Sequence, residues 1–138
     1  MQAGRHRFFA DEPESAGGLD SGPSPYDFLS IALGACTSMT LRVYAEHKML
    51  TLGRISVDAS HAKIHARDCE ECTEPERGSS ARIDRFERII SVEGEVSEEL
   101  RAKIVEIAAK CPVHRTLETV AKVATVVRQE SETILRQL

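Results

Sequence analysis

The 138-residue chain is expected to fold as a single α+β domain spanning residues 1–138. Three observations predict this class. A long helix, apolar on nearly every side, lies within Gly22–His47; two later stretches alternate apolar and polar residues as strands do; and two shorter helical patterns follow them. The expected order is strand, long helix, two strands, two helices and a closing strand.

The opening stretch GRHRFFA, residues 4–10, is a candidate short strand, in which Arg5 and Arg7 read either as charged edge residues or as contacts for an anion or substrate. Residues 11–22, rich in glycine and acids with one proline, form a loop. Pro23 and Pro25 fix an extended lead-in; Ser24 stands as N-cap, and Pro25 takes the first helical position, where its missing N–H costs nothing. Leu29, Ala32, Cys36, Met39 and Val43 then follow at helical steps, a stripe that places Cys36 on the expected buried face. No run reaches the roughly 18 uninterrupted apolar residues of a membrane span, so protein is expected to cover this helix.

Beyond Leu50–Gly53, the residues Ile55, Val57 and Ala59 alternate with Arg54, Ser56, Asp58 and Ser60, the pattern of a half-buried strand. Residues 67–80 read as a charged loop. Phe86, Ile90 and Val92 share one face of a second strand, which pairs with the first as a long hairpin. Ser97 caps a helix whose apolar face, Leu100, Ile104 and Ile107, leads to Cys111. A short helix from Pro112 to about Val120 and a β-branched strand at Val123–Val127 complete the pattern, and Ser131–Leu138 reads as a helical or frayed tail.

A formal charge of −4 with mixed signs throughout excludes a basic footprint for nucleic acid and a polybasic membrane patch. Met1–Pro13 lacks the pattern of a secretory leader, so a cytoplasmic location is expected, and four cysteines there read as redox or metal thiols rather than a secreted disulfide scaffold. There is no Trp and few aromatics, so the core rests on Leu, Ile, Val and Ala; a homodimer would cover the apolar surface that a chain of this size leaves over.

Cys36 alone would read as a small hydrophobe between Ala32 and Met39. Cys111 changes the reading. It stands just before Pro112, which can open a helix, with His114 and Arg115 in the first turn, where free N–H groups and the positive dipole end favour thiolate. His114 and Arg115 are candidates to stabilise that thiolate; plain helix-surface residues are the other reading. Two thiols of this kind can reduce a peroxide, one attacking and one removing the sulfenic acid, and two inert core cysteines are the alternative.

GPSPYDFLSIALGACTSMTLR around Cys36 and KCPVHRTL around Cys111, with HRFFADEP and HAKIHARDCEEC, resemble the OsmC/Ohr family of thiol-dependent hydroperoxide reductases, especially its YhfA-type branch. The resemblance implies an OsmC-like fold, with the long buried helix against antiparallel sheets in an intertwined homodimer. It implies a peroxidatic thiol at Cys36 and a resolving thiol at Cys111, acting as a peroxiredoxin-like peroxidase on a small organic hydroperoxide in oxidative-stress defence. Their disulfide would be reduced by an external dithiol, with no cofactor required. In that family an early-loop arginine and a glutamate just after the helix-starting proline activate the thiol. Here Tyr26 follows Pro25, Asp27 is the nearest acid, and Arg5 and Arg7 are the early arginines. Beside that leading reading stands an alternative, a protein of the same fold that binds a small hydrophobic ligand around Cys36, or senses redox state or metal, without efficient turnover.

His61, His65, Cys69 and Cys72 show H-x3-H-x3-C-x2-C spacing. Histidines four apart on a strand face one side, and a C-x2-C loop offers two sulfurs at about 2.3 Å from zinc, so the set suits a structural zinc site. Solvated histidines beside a labile dithiol are the other reading.

Overall fold

Helix α1, Pro25–His47, begins where the sequence places it. The Asp27 N–H donates to Ser24 Oγ at 3.3 Å, and the Ser24 N–H returns to Asp27 Oδ2 at 2.9 Å, a capping box with proline at the first position. The structure is a computed structural model and describes residues 1–119 and 121–126. Before α1, strands β1 (Gln2–Ala3) and β2 (His6–Arg7) form a minimal hairpin, shorter than the expected strand because Gly4, at φ 59°, turns the chain. Strands β3 (Ile55–His65) and β4 (Arg82–Val92) pair antiparallel along their full length. The connecting loop is more ordered than its charge suggests. It carries a 3-10 turn at Ala66–Asp68 and a one-turn helix α2, Glu74–Arg77, closed by a Thr73–Glu76 capping box. Helices α3 (Glu98–Ala108, N-capped by Ser97) and α4 (Pro112–Glu118) complete an α+β fold.

The alternation of β3 and β4 makes one face of the hairpin. Ile55, Val57, Ala59 and His61 lie opposite Val92, Ile90, Arg88 and Phe86. Helix α1 rests on that face and α3 closes its far end, so Leu41, Ile104 and Ile107 form the buried core, with Tyr44, Ile55, Ile90, Val92, Val96 and Leu100 packed around them.

The buried side of α1 is Ser30, Leu33, Gly34, Thr37, Leu41 and Ala45. The stripe expected to be buried, from Leu29 through Cys36 to Val43, lies on the opposite flank, with Met39 67% and Val43 52% exposed. A helix apolar all round has no single preferred face; the strands beneath it choose. By length and composition alone α1 could cross a bilayer, with mean hydropathy 1.3 over its most apolar stretch, but one face is packed as a core helix on the hairpin.

The expected closing strand does not form over residues 123–126, where Val123 is 90% and Val126 78% exposed. A β-branched run without a partner strand does not make a ladder. Val127 and the tail 131–138 lie outside the described residues, as does Val120, the expected end of the last helix.

Candidate active site

Cys36, midway along α1, and Cys111, the N-cap of α4, are both free thiols, and the fold brings their side chains into hydrogen-bond contact. The two differ in surroundings. Cys36 lines an open, apolar groove of about 520 Å³ with Ala32, Ala35, Met39, Val43 and Pro112. Cys111 sits behind it with no exposed surface.

Their protons are not equivalent. Burial, together with the hydrogen bond that it gives to Cys111, pushes the Cys36 thiol above its usual value. Burial pushes Cys111 the same way. However, the neighbouring Cys36 thiol, the backbone N–H groups of His114 and Val113 and the Thr37 hydroxyl favour its thiolate, and they bring Cys111 below its usual value. His114 thus acts through its backbone; its imidazole turns away to Glu118, with Nε2 3.1 Å from Oε2.

The other sequence candidates lie elsewhere. Arg5 and Arg7 are exposed on the N-terminal hairpin and are not among the groups acting most strongly on either thiol. Asp27 is occupied by the capping box, where the Ser24 hydroxyl and N–H hold its carboxyl below the ordinary value. Tyr26 stacks flat on His61, ring centroids 3.9 Å apart, and His61 Nε2 bonds Asp84 Oδ1 at 2.9 Å.

The geometry places the expected ligand set of His61, His65, Cys69 and Cys72 as follows. Cys69 and Cys72 are joined in a disulfide, His61 is engaged by Asp84 and Tyr26, and among the described residues no group of three or more His, Cys, Asp or Glu side chains could hold a metal ion. Sulfurs bonded to each other have no thiolate to offer zinc.

Two residues beside the pair were not singled out from the sequence. Thr37, fully buried on α1, accepts a hydrogen bond from Arg88 Nη1 of β4 at 3.1 Å. The signal was present: the alternation that groups Phe86, Ile90 and Val92 also puts Arg88 on the core face, where an arginine is rare.

A family model described as OsmC-like protein matches residues 18–126. Among solved structures, an osmotic stress induced and detoxification response protein of Psychrobacter arcticus superimposes with TM-score 0.59 at 17% identity, over 78% of this chain and 69% of that one. An organic hydroperoxide resistance protein of Legionella pneumophila gives 0.58 at 15%, over 78% and 70%. An organic hydroperoxide resistance protein of Vibrio cholerae, with captopril in one of its active sites, gives 0.54 at 16%, over 78% and 66%. No curated protein sequence matches the chain. At these identities the structural likeness is one of fold, and the YhfA-type branch is not distinguished from the rest. The extent of the family match decides membership: the chain belongs to the OsmC-like protein family.

Proposed function

We propose that the chain reduces organic hydroperoxides by thiol chemistry at Cys36 and Cys111. The observation that carries this is the pairing itself, one thiol opening on an apolar groove with a second hydrogen-bonded behind it. Family membership and the neighbours described as organic hydroperoxide resistance proteins support the reading.

Cys36 as thiolate attacks one oxygen of the O–O bond and becomes a sulfenic acid, while the other oxygen leaves as alkoxide and takes up a proton. Cys111, already in contact, displaces hydroxide from that sulfur and closes the disulfide; the peroxide is reduced to alcohol and water. An external dithiol then restores both thiols by exchange. The apolar groove wall favours an alkyl peroxide over hydrogen peroxide. The exposed flank of α1, with Leu29, Ile31, Met39 and Val43, is the face a second copy would cover, walling the groove in a homodimer. Light scattering of the purified chain is expected to give twice the chain mass.

One observation favours a second reading, a binder of small hydrophobic ligands: neither early arginine nor Asp27 is among the groups acting most strongly on Cys36, and Asp27 is held by the capping box instead. Turnover decides between them. With a dithiol reductant in excess, an alkyl hydroperoxide is expected to be consumed catalytically and faster than hydrogen peroxide. Stoichiometric binding of an apolar probe without turnover would move the second reading ahead.

A further inference from the structure

The Cys69–Cys72 disulfide lies far from the Cys36–Cys111 pair. Gly34, two residues before Cys36, packs over Ala59, whereas the loop that carries the disulfide begins at Ala66, beyond the end of β3. At about 3.3 Å per residue, that is roughly 20 Å of strand. The loop has ties that do not involve sulfur. The Ala66 N–H donates to the Ala81 carbonyl at 3.0 Å, the Thr73 N–H to Glu76 Oε2 at 2.8 Å, and Arg77 Nη2 to the Glu70 carbonyl. Arg85 of β4 grips Glu71 with Nη2 at 2.9 Å and Nε at 3.3 Å. Because the bond closes only four residues it adds little to the fold, and by the same thermodynamic cycle the fold adds little to the bond. Such a bond on an exposed loop is open to exchange.

The two sulfurs are not equivalent. Cys69 is 5% exposed, whereas Cys72 is only half-buried. Glu71 Oε2 stands 3.8 Å from Cys69 Sγ, and a disulfide sulfur has no proton to give it. A reduced Cys69 has one. Arg85 holds the Glu71 carboxyl below its ordinary value, so the acceptor stays charged, and a carboxylate beside a sulfur favours its thiol over its thiolate.

We propose that Cys69 and Cys72 form a second redox centre, a thiol–disulfide exchange site for soluble dithiols, in which Cys72 meets the reagent and Glu71 holds Cys69 as a thiol. The thiolate of a dithiol attacks Cys72 and forms a mixed disulfide, and the electron pair of the broken S–S bond leaves on Cys69. Cys69 takes up the proton that the reagent's second thiol releases and shares it with Glu71 in a hydrogen bond. The second thiolate then attacks the reagent's own sulfur in the mixed disulfide and frees Cys72 as thiolate. The protein disulfide gains two electrons, and the dithiol becomes a cyclic disulfide. A monothiol stalls at the mixed disulfide, because the inner thiol is protonated and no second sulfur is tethered to the reagent.

The test uses the oxidised full-length chain without denaturant. It is equilibrated with mixtures of reduced and oxidised dithiothreitol, quenched in acid, alkylated and mapped by peptide, which reads Cys69 and Cys72 apart from Cys36 and Cys111. The bond is expected to open in the folded chain. Glu71→Gln is expected to need a ratio of reduced to oxidised reagent about tenfold higher for half-reduction, because a neutral acceptor replaces a charged one. Reduced glutathione, quenched early, is expected to add to Cys72 about tenfold more often than to buried Cys69. Circular dichroism checks that Glu71→Gln is folded. A bond that opens only in urea, an adduct carried mainly by Cys69, or a native midpoint in folded Glu71→Gln overturns the proposal. No peroxide is involved, so none of these outcomes depends on turnover at Cys36.

Discussion

Gly34 of α1 lies directly over Ala59 of β3. A β-carbon built on the glycine would stand 3.8 Å from the Ala59 methyl and 3.5 Å from the Val57 carbonyl oxygen. Three residues further along α1, Thr37 reaches Arg88, the cross-strand partner of Ala59, so two small residues set the helix-to-sheet spacing at which this contact forms. Both distances are ordinary contacts. Gly34→Ala is therefore expected to fit and to stabilise the chain by up to about 1 kcal/mol through helix propensity, whereas Gly34→Leu lifts the helix and costs about 1–3 kcal/mol. Urea unfolding measures both.

Ser30 is buried on the same face of α1, and its Oγ has no hydrogen-bond partner among the described residues. A buried hydroxyl without a partner is a cost that alanine removes, and alanine is also the better helix former. Ser30→Ala is expected to raise stability by about 1 kcal/mol, seen as a higher midpoint in urea. A loss of stability would show that Ser30 is bonded after all.

Asp84 carries an acid-side dependence that links β4 to β3. The hydrogen bond from His61, and secondarily Lys63, hold its carboxyl below the ordinary value of about 4. A depressed folded pKa contributes stability that is full above the unfolded value and is lost as pH falls through the folded one. The native chain is thus expected to exceed Asp84→Asn in Tm at pH 6, and the gap is expected to close as pH falls below about 4. A gap that persists at the lowest pH would place the effect in packing instead.

The Cys69–Cys72 disulfide closes a loop of four residues, so its entropic contribution is small, about 2 kcal/mol at most. Cys69→Ser/Cys72→Ser is expected to stay folded at 25 °C, to lose no more than that in urea unfolding, and to retain peroxide turnover. Loss of turnover with the fold intact would tie this loop to the reaction.

Local grammar made much of this fold legible. Ser24, Pro25 and Asp27 start α1, Ser97 starts α3, and the alternation of Ile55, Val57 and Ala59 against Phe86, Ile90 and Val92 makes the hairpin, because caps and period-two patterns act over a few residues. What depended on distant partners was not. The buried face of α1 could not be chosen from a helix apolar on all sides. Cys69 and Cys72 show the same spacing whether they hold zinc or each other. Arg88 and Thr37 are 51 positions apart, and nothing local in either says that they meet. The Cys36–Cys111 contact was expected through the resemblance, while the lower thiol value at Cys111 needed its neighbours to be placed.

The central claim is that Cys36 attacks and Cys111 resolves, and peptide mapping after a stoichiometric dose of an alkyl hydroperoxide tests it most directly. The native chain is expected to yield a Cys36–Cys111 disulfide. Cys111→Ser is expected to hold a sulfenic acid at Cys36, captured by a sulfenic-acid probe, because no second thiol can condense with it. Cys36→Ser is expected to consume peroxide only at background. If Cys36→Ser keeps the native rate, or if the oxidised native chain leaves Cys36 a free thiol, the account is contradicted.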